Sequence, residues 1–241
     1  MIPLRDANPS QRTPFVTFAL IGLNTLVYLY ELSLGGLALN TPAVSSFFQT
    51  MGMIPARVGA FPAHPDISLG DAFVPFFTSM FLHGGFFHLL GNMWFLWIFG
   101  DNIEDRLGHF RYVLFYLVCG LGAGLTHLLF NWGSQVPVIG ASGAVAGVLG
   151  GYLLLYPRAR VLTLIPLFYF LILRELPAYL ILLYWFVLQV FSGAASVGVE
   201  GGGVAWWAHV GGFLLGLGLV KLIVGKTKPP RRPPGHYEVR F

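Results

Sequence analysis

The sequence predicts an all-α integral membrane protein of six transmembrane helices with both termini cytoplasmic. Three observations lead there. Of 241 residues, 56% are hydrophobic and only 10% charged, with a mean hydropathy of +0.71, whereas a soluble domain carries roughly 25% charged residues. The apolar residues fall into charge-free windows long enough to cross a bilayer. The Lys and Arg residues between those windows collect on one side.

The elements follow in order, since about 20 apolar residues span a membrane. Residues 1–14 form a short N-terminal segment ahead of a first helix near 15–37, which continues apolar past Glu31. Residues 40–84, rich in proline and scattered polar groups, are too broken for a span and read as a large outer loop with short interfacial helices. The charge-free stretch Ala72–Gly100 holds the second helix, near 85–104. Tyr112–Pro157 is charge-free over 46 residues. It is divided by Asn131-Trp132-Gly133-Ser134-Gln135 into helices near 109–130 and 141–156. Residues 161–173 are apolar for only 13 positions before Arg174-Glu175, too few for a seventh span, and an interfacial segment is expected. The last two helices lie near 177–194 and 204–224. The membrane domain is thus 15–224, and 225–241 is a basic, Pro-rich cytoplasmic tail with no packed structure expected.

Positive charge orients the set. Thirteen of the 14 Lys/Arg residues lie in the N-terminus, the 100–111 loop, the 157–175 segment and the C-terminal end, leaving Arg57 opposite. By the positive-inside rule both termini face the cytoplasm. The net charge of +4 therefore reports orientation and contact with membrane lipids. No basic stripe interleaved with aromatics points to nucleic acid. No short apolar core followed by a small-residue cleavage site begins the chain, which favours a prokaryotic plasma membrane. A single cysteine, Cys119, excludes an internal disulfide framework and any Cys-based metal site.

Polar groups inside spans are costly and mark candidate sites. Ser142 at the start of the fourth helix, His209 near the start of the sixth, and His88 and Asn92 in the second all lie roughly 5–12 Å below the outer surface, at 1.5 Å per residue. Each alone has a plain packing explanation: a Ser bonds its own helix, a His or Asn ties helices together. Three helices bringing Ser, two His and Asn to one depth is harder to explain by packing. A Ser beside a His is a minimal activated nucleophile. The Ser142 N–H opens a helix and is free for an oxyanion, with His88 or Asn92 able to donate alongside. No Asp or Glu shares that depth, so the arrangement reads as a dyad. His83, Asn24, Thr126, His127 and Cys119 read as structural, His83 as a brace for the outer loop.

Glycine is abundant, 31 of 241 residues. Gly143, Gly147 and Gly151 recur every four residues in the fourth helix, and Ala208, Gly212 and Gly216 do so in the sixth. Such small-residue stripes let backbones approach closely, so these two helices are expected to pack on each other.

The motifs Gly140-Ala-Ser142-Gly143, Ala208-His209-Val-Gly-Gly212 through Gly216, and His83…His88…Asn92 resemble those of the rhomboid family of intramembrane serine proteases, over about residues 15–224. The resemblance implies a rhomboid-like bundle of the bacterial six-helix type. It implies Ser142 as nucleophile, His209 as base, and His88 and Asn92 as oxyanion donors. It also implies structural roles for Gly140, Gly143, Gly212, Gly216 and the Glu104-x-Arg106 region, with single-pass membrane proteins as substrates. No cofactor or metal is expected. Some members of the family carry a Tyr four residues after the nucleophile that stacks on the base. Here that position is Ala146, so Trp206, Trp207 or helix packing must orient His209. Ser192–Gly203, rich in glycine, would form a mobile loop over the site. An aspartyl or zinc protease is a poor fit, because no Asp pair lies in the spans and no His-Glu-x-x-His occurs. The rivals from other classes are a non-cutting membrane chaperone and a small-solute transporter; the latter would show internal repeats, which are absent.

Overall fold

The computed structural model describes residues 1–37, 39–196 and 203–225. The expected loop over 192–203 is helical through Ala195, and 197–202 lie outside the described residues, as does the tail from 226.

Among the described residues, six long helices follow the charge-free windows closely. They are α1 (Phe15–Gly35), α6 (Phe86–Leu107), α7 (His109–Phe130), α8 (Ser142–Leu155), α9 (Ala178–Ala195) and α10 (Trp206–Val224). Four of them, α1, α7, α9 and α10, are long and apolar enough to cross a membrane by themselves. Helix α6 carries Asp101, Glu104, Asp105 and Arg106 in its last two turns. It qualifies together with the short helices before it, at a 76° bend. With 14 residues, α8 is the shortest of the six. Exposed Leu26, Leu29, Leu129, Phe191 and Leu222 give the bundle an apolar exterior that suits lipid rather than water.

The outer-loop region contains the expected short helices: α2 (Pro42–Met51), α3 (Pro55–Ala60), α4 (Leu69–Phe73) and α5 (Pro75–Thr78), then a 3-10 turn over Ser79–Phe81. This segment is fastened to the stretch that leads into α8. Met53 and Val138 exchange both backbone hydrogen bonds, at 3.1 and 2.8 Å, and the Gly140 N–H donates to the Ser79 carbonyl at 2.9 Å.

The expectation of an all-α chain is corrected by a three-stranded antiparallel sheet. Strand β1 (Ile2–Asp6) pairs with β2 (Arg160–Leu167), which pairs with β3 (Phe170–Pro177). The segment read as interfacial is thus a β-hairpin. Thirteen apolar residues cannot span a bilayer, Pro166 denies a helix its hydrogen bond, and Val161, Thr163, Ile165 and Ile172 favour extended backbone. The sheet is tied to the bundle at its first strand. Tyr152 Oη donates to Asp6 at 2.7 Å, Trp94 Nε1 donates to the Pro3 carbonyl at 2.7 Å, and the Asn8 amide bonds Asn102.

Two buried carboxylates fix α1. Pro14 precedes α1 and supplies no capping side chain, so Glu104 of α6 takes that part. Its carboxylate accepts from the N–H groups of Val16 and Thr17 at 2.9 and 2.8 Å and from the Thr17 hydroxyl at 2.7 Å. A carboxylate at a helix start is favoured by the unpaired N–H groups and the dipole there. Near the other end of α1, buried Glu31 accepts the His83 N–H at 3.0 Å. This bond uses the His83 backbone and fastens the entry to α6 onto α1; the His83 ring, read from sequence as a brace for the outer loop, makes no hydrogen bond among the described residues.

The glycine stripes pack, with one change of partner. A Cβ at Gly212 or Gly216 of α10 would collide with the carbonyl of Gly143 or Gly147 of α8. That side of the expected α8–α10 seam is present. Side chains at Gly143, Gly147 and Gly151, however, would first meet Ala123, Cys119 and Phe115 of α7. The α8 stripe faces α7, and it is Gly150 that meets the α10 backbone, at Phe213. Helix α8 is small-sided on two faces, so helices press against it from both.

Candidate active site

Ser142 is the first residue of α8 and His209 lies in the first turn of α10. The seam brings these two helix starts to one level, and Ser142 Oγ stands 2.7 Å from His209 Nε2. His209 is only 8% exposed, so the bond sits out of bulk solvent, where it is electrostatically stronger.

The approach to Ser142 explains its flanking glycines. Gly140 has φ +126°, a conformation L side chains rarely adopt, and a Cβ there would stand 2.7 Å from His88 Nε2 and 3.6 Å from Ser142 Oγ. The His88 ring therefore closes against the backbone just ahead of the serine, a position that requires glycine. His88 in turn meets His83 edge-on, with ring centroids 5.1 Å apart. Asn92 lies one turn further along α6, on the same side as His88. It is buried, and among the described residues its Nδ2 has no hydrogen-bond partner. A buried, unpaired donor costs free energy unless a ligand satisfies it. The Ser142 N–H, at a helix start, is a further donor without an intrahelical partner. An apolar recess opens beside Ser142, lined by Met53, Phe76, Met80, Gly120, Gly124 and Ile139.

The structure brings Ser142 against His209 and sets the His88 ring against the backbone just ahead of Ser142, while Asn92 follows His88 by one turn of α6. Ala146 is buried in the core and offers the base no ring. Of the two tryptophans expected to orient it, Trp206 meets His209 edge-on at 6.3 Å, while Trp207 stacks on Phe130 at 3.8 Å. The neighbours that sequence reasoning missed come from α9. Trp185 lies 5.6 Å from the His209 ring, tilted by 35°, and Gln189 Oε1 lies 2.7 Å from His209 Nδ1. The signal for Gln189 was available. It is a buried amide in a charge-free span, about as deep from its end of α9 as His209 is in α10.

Chemically, a hydroxyl bonded to an imidazole, with unpaired donors beside it, can attack a carbonyl and hold the resulting oxyanion.

Comparison with known proteins identifies the family. A family model described as the rhomboid domain matches residues 71–226. Among curated proteins, RHOMBOID-like protein 5 of Arabidopsis thaliana is 32% identical over 164 residues, covering 66% of this chain and 48% of the relative. Rhomboid-like protein 11, chloroplastic, of the same plant is 34% identical over 163 residues, 63% of this chain and 53% of the relative. Rhomboid protein 1, mitochondrial, of Saccharomyces cerevisiae is 32% identical over 145 residues, 58% of this chain and 38% of the relative. The chain spans about half or less of the length of these relatives.

Proposed function

This chain belongs to the rhomboid family, and from that premise we propose that it is an intramembrane serine endopeptidase. In this reading it cuts transmembrane segments of membrane proteins near the outer leaflet, with Ser142 as nucleophile and His209 as base. The observation that carries it is the 2.7 Å Ser142–His209 bond between two helix starts.

The reaction proceeds in two halves. Ser142 Oγ attacks the scissile carbonyl as His209 Nε2 takes its proton. The oxyanion is held by the Ser142 N–H, His88 and the unpaired Asn92 amide. His209 then protonates the leaving amine, and the peptide bond breaks to leave an acyl-serine. In the second half a water, deprotonated by His209, attacks the ester and frees Ser142. A substrate helix must unwind locally, because its own hydrogen bonds shield its carbonyls. Small residues at the cut and helix-breaking residues nearby ease that step, as the family resemblance implies.

The same reading has six membrane crossings with both termini on the cytoplasmic side, supported by the Lys/Arg asymmetry and the six long helices. Membrane lipids and single-pass proteins are its partners, with no role for nucleic acid. The expectation of a prokaryotic plasma membrane finds no support among the relatives, which include proteins named for the chloroplast and the mitochondrion.

The test is cleavage of a transmembrane substrate in proteoliposomes by the protein and by Ser142→Ala. The variant is expected to keep its fold and lose cleavage entirely. Full cleavage by Ser142→Ala sinks the assignment.

A further inference from the structure

The base needs one ring nitrogen free to accept the serine proton, and that requires the hydrogen to sit on the other. In a neutral imidazole the tautomer is chosen by the partner of the second nitrogen. Here that partner is Gln189 of α9, through Oε1 or Nε2, since an amide can present either end. The structure decides which end faces the ring. Gln189 Nε2 donates to the carbonyl of Trp185, one turn back on α9, at 3.0 Å, which leaves Oε1 toward His209 Nδ1 at 2.7 Å. Oε1 only accepts, so Nδ1 carries the hydrogen and Nε2 presents its lone pair to the Ser142 hydroxyl. Turning the amide over would set Oε1 against the Trp185 carbonyl, acceptor against acceptor. It would also drive the ring proton onto Nε2 and remove the base. Thus a backbone carbonyl of α9 is connected through one amide and one imidazole to the nucleophile.

We propose that Gln189 is the positioning residue of this site, holding His209 in the tautomer and orientation in which it can act as base. This rests on the dyad reading above. Gln189 stands where a carboxylate stands in three-residue serine sites, and it takes over the orienting task that Ala146 leaves open. Trp185, one helical turn away on the same face of α9, flanks the ring at a tilt, so one helix face provides both an aromatic contact and the hydrogen bond. Among the described residues, the titratable groups acting on His209 are His88 of α6 and His127 of α7, both imidazoles. The imidazolium that forms in the reaction therefore has a neutral amide oxygen for support and, among the described residues, no carboxylate bonded to it.

The experiment compares wild type, Gln189→Leu, Gln189→Asn and Gln189→Glu, all as the full chain in liposomes. It reads the rate of Ser142 labelling by a fluorophosphonate and substrate cleavage across pH. Gln189→Leu and Gln189→Asn, the latter one methylene too short, should lower kcat and labelling about 10- to 100-fold with KM unchanged, the rate equivalent of one hydrogen bond to a charged group. Gln189→Glu should recover most of the rate. It should also move the lower limb of the pH profile upward by about one unit or more, because a carboxylate favours the protonated imidazole. A merely structural Gln189 would leave that limb in place, and equal losses in all three variants would overturn the proposal, as would wild-type rates in Gln189→Leu. A wild-type protein that neither cuts nor labels would instead overturn the dyad reading itself.

Discussion

The two ends of α8 are held by opposite means. At the Ser142 end the contacts are backbone against backbone: Gly212 and Gly216 of α10 lie on the carbonyls of Gly143 and Gly147, with Ala123 and Cys119 of α7 on the other flank. Backbone contact runs on to Gly150 at Phe213, and only past it do large side chains do the holding. Tyr152 is fully buried, packs edge-on against Phe99 at 4.9 Å, and donates to Asp6 of β1. Side chains can relax by changing rotamer, whereas backbones in contact cannot. The end that must fix a distance between two reacting atoms is the end built from glycine. The far end can be altered with a cost in stability and little in chemistry.

The sharpest way to break that contrast is to add bulk at the seam. Gly212→Val would drive a side chain into the Gly143 carbonyl, forcing α10 away from α8. Overpacking of this kind costs about 1–3 kcal/mol, and a shift of about 1 Å in a reacting pair costs about 100-fold in rate. Proteolysis is expected to fall at least that far in the fraction of protein that still folds. Circular dichroism and cleavage rates measured on the same preparation check it.

A smaller effect is expected at the opposite end. Burial holds the Asp6 carboxyl at about 7, up from its ordinary 3.8, against the lowering influence of the Tyr152 hydroxyl. The folded protein therefore keeps a proton that the unfolded chain releases, between about pH 4 and 7. Over that window the unfolded state binds fewer protons, so stability falls as pH rises, and it levels off above 7. Asp6→Asn should flatten this slope and raise the melting temperature at pH 8 relative to wild type, while cleavage at a given pH changes less than about threefold. Melting curves at pH 5 and pH 8 read the first part, and an unchanged slope would remove Asp6 as its cause.

The sequence carried the helices well because a bilayer demands long charge-free windows, and the six predicted ranges agree with the six helices to within a few residues. It carried the level of Ser142 and His209 for the same reason, since depth is a count of residues from a helix end. The hairpin over 160–177 was not legible as a sheet, because a short apolar run reads alike for a strand and a buried segment. Its partner strand, Ile2–Asp6, lies more than 150 residues away. The direction of the glycine stripes was half legible. Small residues announce close contact, but nothing local says which neighbour makes it: the Gly143 carbonyl meets α10, while a side chain at Gly143 would first meet α7. Gln189 was overlooked although it obeys the rule that singled out His209, a polar side chain within a span. Its bond to the base depends on how α9 leans on α10, which only the fold supplies.

The central claim is that His209 activates Ser142. It is tested most directly by the rate at which a fluorophosphonate labels Ser142 in wild type and in His209→Ala, each in lipid and shown to be folded. Rapid labelling of the wild type and a loss of at least about 100-fold in His209→Ala is the predicted result. Labelling that survives the loss of His209 would contradict it.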